Sequence, residues 1–288
     1  MLSALHELLQ FSQLTQIVDV GANPIDGEPP YIGLIKNGFC NVIGFEPQQD
    51  ALAELKTGQS SHENYLPYAV GDGSTKTLNI CKYSGWTSTY TPSAQSLNVF
   101  SVFKDNAKII GQTTINTRRL DDIAEIGHID FLKIDIQGGE LGVFQNGKQK
   151  LSTASVIQTE VSFFNLYDDQ PSFGDIDIEL RSQGFIPHCF AAVKKGIIAP
   201  FSLNNDPWRP LNQLLEADVV YVKDFRDAES LDERQVKNIC LIAHACYGSY
   251  DLAYRCILIL QDRKLIPADS ARRYIDLLNT MLRAVPQK

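Results

Sequence analysis

A doubly wound α/β fold is what the sequence predicts, and three observations predict it. Short β-branched apolar runs recur at 17–20, 42–45, 131–136 and 156–161, as expected of parallel strands buried on both faces. Segments of helical period lie between them, the alternation that builds one parallel sheet covered on both sides. The first two runs end in Gly21 and in Glu46-Pro47, and open α/β sheets bind ligands outside the carboxyl ends of their strands.

The whole chain sets bounds on what this fold serves. It has 288 residues, 44% hydrophobic and 21% charged, enough for a full α/β core in one large domain or in one domain plus an extension. A net charge of −8 argues against general nucleic-acid binding, which needs a basic footprint. Cysteines 40, 81, 189, 240, 246 and 256 form no C-x-x-C pair and no metal spacing. They are expected to be reduced core residues of a cytoplasmic protein. No metal site is expected. No run approaches the ~20 apolar residues of a membrane span.

Residues 1–16 carry Leu2, Leu5, Leu8, Leu9 and Phe11 at helical spacing without a basic start, so an amphipathic helix is expected rather than a signal peptide. After the first strand, Pro29 and Pro30 delay a helix over 31–37 that stops at Gly38. The second strand leads to a helix near 50–56. A third strand is expected over 65–70, ending in Gly71-Asp72-Gly73, where Asp72 is either a cofactor contact or part of an ordinary turn.

Residues 77–83 and 113–118 alternate like strands. Between them, Ser84 to Tyr90 is small, hydroxylated and aromatic; it is either a lid that holds an acceptor or a surface turn around one buried Trp86. Residues 120–123 open a short helix whose first turn favours Asp121 and Asp122. The fourth strand, 131–136, brings Asp135 and Gln137 to its carboxyl end, with Glu140 one helical turn further. The fifth strand, 156–161, ends near Glu160. A helix over 176–182, a strand over 185–193, a polar loop around Trp208 and Arg209, and a last strand over 217–222 complete the pattern. His188, on the late strand, is a modest candidate for chemistry.

Beyond Arg226 the pattern is helical only, over 231–246, 250–260 and 270–282. The chain therefore divides into residues 1–226 and a helical extension over 227–288, whose apolar stripe is Ile239, Ile242, Cys246, Leu252 and Cys256. Ala243, Gly248, Tyr250 and Ala253 have the small-and-aromatic spacing of a tetratricopeptide pair, but one pair is not an array. The extension is expected to pack on the main domain or on another chain, as a homo-oligomer or with a partner protein.

Asp19, Gly21 and Glu46 face one crevice in this reading. Glycine at the first strand end and a carboxylate at the second suit an adenosine, whose ribose hydroxyls bond the carboxylate. A dinucleotide also needs G-x-G-x-x-G for its pyrophosphate. Here the later glycines are missing, and Asp26 and Glu28 would repel phosphate. S-adenosyl-L-methionine is cationic and has no phosphate, so an acid-lined loop favours it. A structural βαβ unit, with Asp19 capping a turn, is the plain alternative.

The run Asp19-Val20-Gly21-Ala22-Asn23 is followed by Gly44-Phe45-Glu46-Pro47, Ala69-Val70-Gly71-Asp72, Arg119-Leu120-Asp121-Asp122, residues 130–140 with Lys133-Ile134-Asp135-Ile136-Gln137-Gly138-Gly139-Glu140, and Thr159-Glu160-Val161-Ser162. In this order they resemble the FkbM family of S-adenosylmethionine-dependent methyltransferases, from about Ile17 to Phe225. The resemblance implies a class I, Rossmann-like methyltransferase sheet of seven strands with the last antiparallel. It also implies methyl transfer to a hydroxyl, in relatives on sugars or polyketide-derived compounds. The chain departs from the family in the longer loop 24–30.

Cofactor contacts are then expected from Asp19, Gly21, Asn23, Glu46, Asp72, Asp135 and Gln137. A hydroxyl acceptor needs its proton removed, which a positioned base speeds by about 10²–10⁴-fold. Asp135, Glu160 and Glu140 are the candidates, with Asp135 equally able to bind the cofactor's amino group and Glu140 to cap backbone amides. The acceptor, a small molecule or glycan, is expected to meet Trp86, Ser88, Thr89 and Arg209, the last holding an acidic group. Two other functions compete: a nicotinamide oxidoreductase on a similar sheet, and a non-catalytic scaffold working through its C-terminal helices.

Overall fold

The computed structural model describes residues 2–23 and 27–284; Asp26 therefore lies outside the described residues. In chain order the elements are α1 Leu2–Leu9, β1 Thr15–Val20, α2 Ile32–Lys36, β2 Cys40–Phe45, α3 Gln49–Gly58, β3 Glu63–Leu66, β4 Ala69–Gly71, β5 Thr75–Cys81, α4 Ala94–Val99, β6 Ile109–Arg119, β7 Phe131–Ile134, α5 Glu140–Gln145, α6 Lys148–Leu151, β8 Val156–Ser162, α7 Phe173–Ser182, β9 Phe185–Gly196, β10 Gln213–Lys223, α8 Glu233–Tyr247, α9 Tyr250–Asp262 and α10 Ser270–Ala284.

Seven strands form the main sheet in the order β3-β2-β1-β7-β8-β10-β9. The strands from β3 to β8 run parallel, while the last strand, β10, is antiparallel to both β8 and β9. Period-two alternation along each strand divides the core between the two faces. On one face Ile17, Val42, Phe131, Val220 and Val222 pack under α1, α2 and the C-terminal helices. On the other, Val18, Val20, Leu132, Ile134, Val219 and Tyr221 pack under α5, α6 and α7.

The helices beyond Arg226 share the first of these clusters. Ile239, Ile242, Leu252 and Cys256 of the expected stripe are buried and Cys246 is half-buried. The helix α8 is also fastened to the strand ends by polar groups. Arg234 donates from Nε to Asp130 Oδ1 at 2.7 Å, Asn238 donates to the same oxygen at 3.0 Å, and Thr15 Oγ1 donates to Asn238 at 2.7 Å.

Two expectations about strands are corrected. Residues 65–70 are not one strand. The pairing of β3 with β2 stops at Leu66, and β4 begins at Ala69 in a different sheet. Pro67 has no N–H to continue the ladder. Nor do 77–83 and 113–118 join the main sheet. They belong to β5 and β6, which pair antiparallel, and with β4 they form a separate three-stranded sheet. A small cluster of Cys81, Trp86, Phe100, Ala107, Leu166, Tyr167 and Leu215 holds this insert against the strand ends. No described helix is long and apolar enough to cross a membrane.

Candidate active site

A cavity of about 320 Å³ opens along the carboxyl ends of β2, β1 and β7, within the range of small-molecule pockets. One end is lined by Gly21, Asn23, Glu46, Gln48 and Tyr68. The middle is lined by Asp135, Ile136 and Gln137. The other end is walled by Trp86, Thr89, Tyr90, Phe103, Tyr167, Leu215 and Glu216. The inserted sheet contributes Lys76, Leu78, Ile115 and Thr117 as a cover.

Gly21 is indispensable to this geometry. Its φ is +79°, and a Cβ there would lie 2.0 Å from the Asp135 carbonyl oxygen. The absence of a side chain lets β1 and β7 meet at the floor of the cavity. Glu46 is buried at its edge. One oxygen accepts the Gln48 N–H at 2.8 Å. Burial pushes its carboxyl above the ordinary range, and the Gln48 bond opposes part of that shift.

Gln137 is the hub of the middle. It has a left-handed φ of 57°, rare for a residue with a side chain. Its Nε2 donates to Asp135 Oδ1 at 2.8 Å and to Glu160 Oε2 at 2.9 Å. Its Oε1 accepts from Tyr167 Oη at 3.1 Å, and its backbone carbonyl accepts from Ser88 Oγ at 2.6 Å. The ends of β7 and β8 and the loop 84–90 are thus joined through one residue.

The remaining expected residues are placed as follows. Asp19 is buried and absent from the cavity lining; its carboxylate accepts from Tyr31 Oη and, at 3.3 Å, from Lys133 Nζ. The side chain of β1 at this position alternates onto the face beneath the helices with Ile17. Asp72 lines the cavity, but Ser74 and Lys76 occupy its oxygens, the latter at 2.8 Å, and hold it well below the usual carboxylate range.

Glu140 turns back and accepts the Ile136 N–H at 2.8 Å, so it caps the backbone between strand and helix and does not line the cavity. Burial pushes its carboxyl up to about 8. Glu160 is buried just behind the lining. Its Oε1 accepts from Lys194 at 2.9 Å and its Oε2 from Gln137. Burial, followed by the nearby Asp135 and Glu216 charges, raises it well above the ordinary value.

On the acceptor side Trp86 is both core and wall. It is packed against Phe103 and Tyr167 at ring distances of 5.5 and 5.6 Å and lines the cavity. Thr89 also lines it. Ser88 does not: its hydroxyl is spent on Gln137, fastening the loop. Arg209 is exposed and outside the lining; only its neighbour Trp208 approaches, stacking edge-on against Phe103 at 5.7 Å. His188 faces the helical layer, 2.7 Å from Ser249 Oγ.

Sequence reasoning missed Tyr167, Lys194, Lys195 and Glu216. A strand stopped at 193 and another begun at 217 leave those charges just outside, although their adjacency to two strand ends was a usable signal.

The strand order with an inserted antiparallel strand, and a nucleoside-sized cleft at the ends of the first strands, define a class I methyltransferase fold. The chain belongs to the family of the methyltransferase FkbM domain, whose model matches residues 19–187. It is a methyltransferase by family.

Among solved structures, it is similar to a protein described as a methyltransferase from Thermoplasma acidophilum (11% identity over 73% of this chain and 68% of that one, TM-score 0.38). It is also similar to magnesium protoporphyrin IX methyltransferase from Synechocystis PCC 6803, determined with bound SAM (10%, 77% and 77%, TM-score 0.37). A protein from Streptococcus pneumoniae described as a tRNA methyltransferase is similar over 99% of this chain and 89% of that one (11%, TM-score 0.37). No curated protein matches the chain.

Proposed function

We propose that the protein transfers a methyl group from S-adenosyl-L-methionine to a hydroxyl oxygen of a small molecule, such as a sugar, a glycan unit or a polyketide-like compound. The observation that carries this reading is one continuous cavity that runs from a buried carboxylate, over a glycine without room for a Cβ, to an aromatic chamber.

The residues present fit the cofactor. Glu46 lines the cavity with its carboxylate available to the ribose hydroxyls, and Gly21 and Asn23 offer backbone beside it. Asp135, an acidic side chain at the middle of the cavity, suits a cationic ligand, with Gln137 fixing its orientation. The cofactor supplies a methyl carbon already activated by a positive sulfur. The chain's part is to align the acceptor, exclude water beneath Trp86 and Tyr90, and take up the hydroxyl proton. The aromatic walls suit a ring, and Thr89 suits its hydroxyls. Of the three carboxylates proposed as base from sequence, Glu140 and Glu160 have their oxygens engaged within the protein. Asp135 faces the cavity.

Calorimetry with S-adenosylhomocysteine and with NADH tests the cofactor. Binding of the first and not the second is expected. Glu46→Ala should weaken it by ~1.5–3 kcal/mol, the worth of a hydrogen bond to a charged group. A protein that takes NADH and ignores S-adenosylhomocysteine reverses the proposal.

A further inference from the structure

The acceptor end of the cavity holds a carboxylate with no assigned role. The register between β9 and β10 slips between Leu214 and Glu216, so Leu215 is an extra residue on the β10 side. Such a bulge breaks the strict alternation of side chains and re-aims them, often beside an active site. Here the neighbours Leu215 and Glu216 both line the cavity, as do Lys194 and Lys195 across the strand pair. Glu216 is opposite Lys194 in the register and 3.7 Å from its Nζ.

The three carboxylates around this point differ in what their oxygens do. Glu160 is bonded through both, to Lys194 and to Gln137. Asp135 is bonded to Gln137 and adjoins Gly21 on the cofactor side. Glu216 is only 7% exposed, lies 3.7 Å from Lys194 against 2.9 Å for Glu160, and lines the aromatic chamber. In the sheet order β10 is two strands from β7, about 10 Å away at ordinary strand spacing. Asp135 therefore stands at the middle of the cavity and Glu216 at its acceptor end.

Resting on the methyl-transfer reading above, we infer that Glu216 is the catalytic base, receiving the acceptor's hydroxyl proton on the acceptor side, with Lys194 and Glu160 as positioning residues. Glu216 takes the proton as the hydroxyl oxygen forms its bond to the methyl carbon. The electron pair of the broken bond to carbon stays on sulfur, which becomes a neutral thioether, and the proton then leaves Glu216 for solvent. Burial raises the Glu216 carboxyl, with Lys194 opposing, which makes it a stronger proton acceptor than an exposed glutamate.

The test uses the full chain and phenyl glycidyl ether, whose ring fits the walls formed by Trp86, Tyr90 and Tyr167. A carboxylate oxygen attacks the terminal epoxide carbon, the ring carbon–oxygen bond breaks, and the alkoxide takes a proton from water, leaving an ester. Peptide mapping by mass spectrometry should place that ester on Glu216, and E216Q should lose it. Ester on Asp135 or Glu160, an even spread over the three, or no label on Glu216 overturns the inference; the map of the unaltered protein decides this even if the variant fails to fold. Binding of S-adenosylhomocysteine, measured separately, reports on the cofactor alone. Its failure would remove the methyl-transfer reading and leave the labelling result readable.

Discussion

Gly21→Ala is the most direct probe of the joint between β1 and β7. The new Cβ would sit 2.0 Å from the Asp135 carbonyl oxygen, and relief to the 3.0 Å below which such contacts essentially never occur requires a shift of about 1 Å. The backbone bond from Asp135 N–H to the Val20 carbonyl, now 3.0 Å, lies in the path of that shift. Its loss costs about 1 kcal/mol, and the left-handed φ of +79° costs an alanine about 1–2 kcal/mol more. A total of about 2–3 kcal/mol lowers Tm by roughly 3–5 °C in a chain of this size. The same shift displaces Asp135 and Gln137, so S-adenosylhomocysteine binding should fall with it. Gly33→Ala is the control. Its Cβ would meet nothing within 4 Å, and a helical glycine replaced by alanine gains up to about 1 kcal/mol. Differential scanning calorimetry and titration calorimetry on the two variants decide the matter. A Gly21→Ala protein with the Tm and affinity of the parent would refute the reasoning.

Two further outcomes concern buried carboxylates. Asp130→Ala should cost about 3–5 kcal/mol in urea unfolding, because it removes the buried acceptor shared by Arg234, Asn238 and the Gln16 N–H, each bond to a charged group being worth about 1.5–3 kcal/mol; a loss under 1 kcal/mol would show that water replaces the carboxylate. Glu140 is raised from 4.5 to about 8, so its native form binds a proton more tightly than the unfolded chain does. Its contribution is fully present below about pH 4.5 and is lost as pH rises through about 8. Glu140→Gln keeps an acceptor for the Ile136 N–H and should flatten the decline of stability across that window; an unchanged slope in urea midpoints would assign the decline to other groups.

The parallel framework was legible because its signals are local. Apolar runs, the glycine at 21 and Glu46-Pro47 each mark a strand or its end without reference to distant residues. The inserted sheet was not, since β4, β5 and β6 read as ordinary strands and only long-range pairing shows which sheet they join. The helix over Ala94–Val99 carried too short an apolar pattern to be read. At the site, the motif residues Gly21, Glu46, Asp135 and Gln137 gather as the sequence suggests. Asp19 and Ser88 sit close by but spend their oxygens on Tyr31, Lys133 and Gln137. For Glu216 the sequence showed a charge beside a strand end but not where it points: a bulge decides its direction, and strict alternation of strand residues has no means to express one.

The helix α8 imposes an order on synthesis. The apolar face of β1, β2 and β7 is covered in part by a helix that starts at Glu233, and Thr15 waits for Asn238, 223 residues later, for its hydrogen-bond partner. Translation proceeds at about 5–20 residues per second, so roughly 5–20 s separate completion of β7 from the first turn of α8. During that interval the nascent chain presents a sticky, half-clad sheet to its surroundings and to neighbouring ribosomes. A stop codon between the end of β10 and α8 would release a product in that state permanently, with every residue that lines the cavity present and no C-terminal helices on its underside.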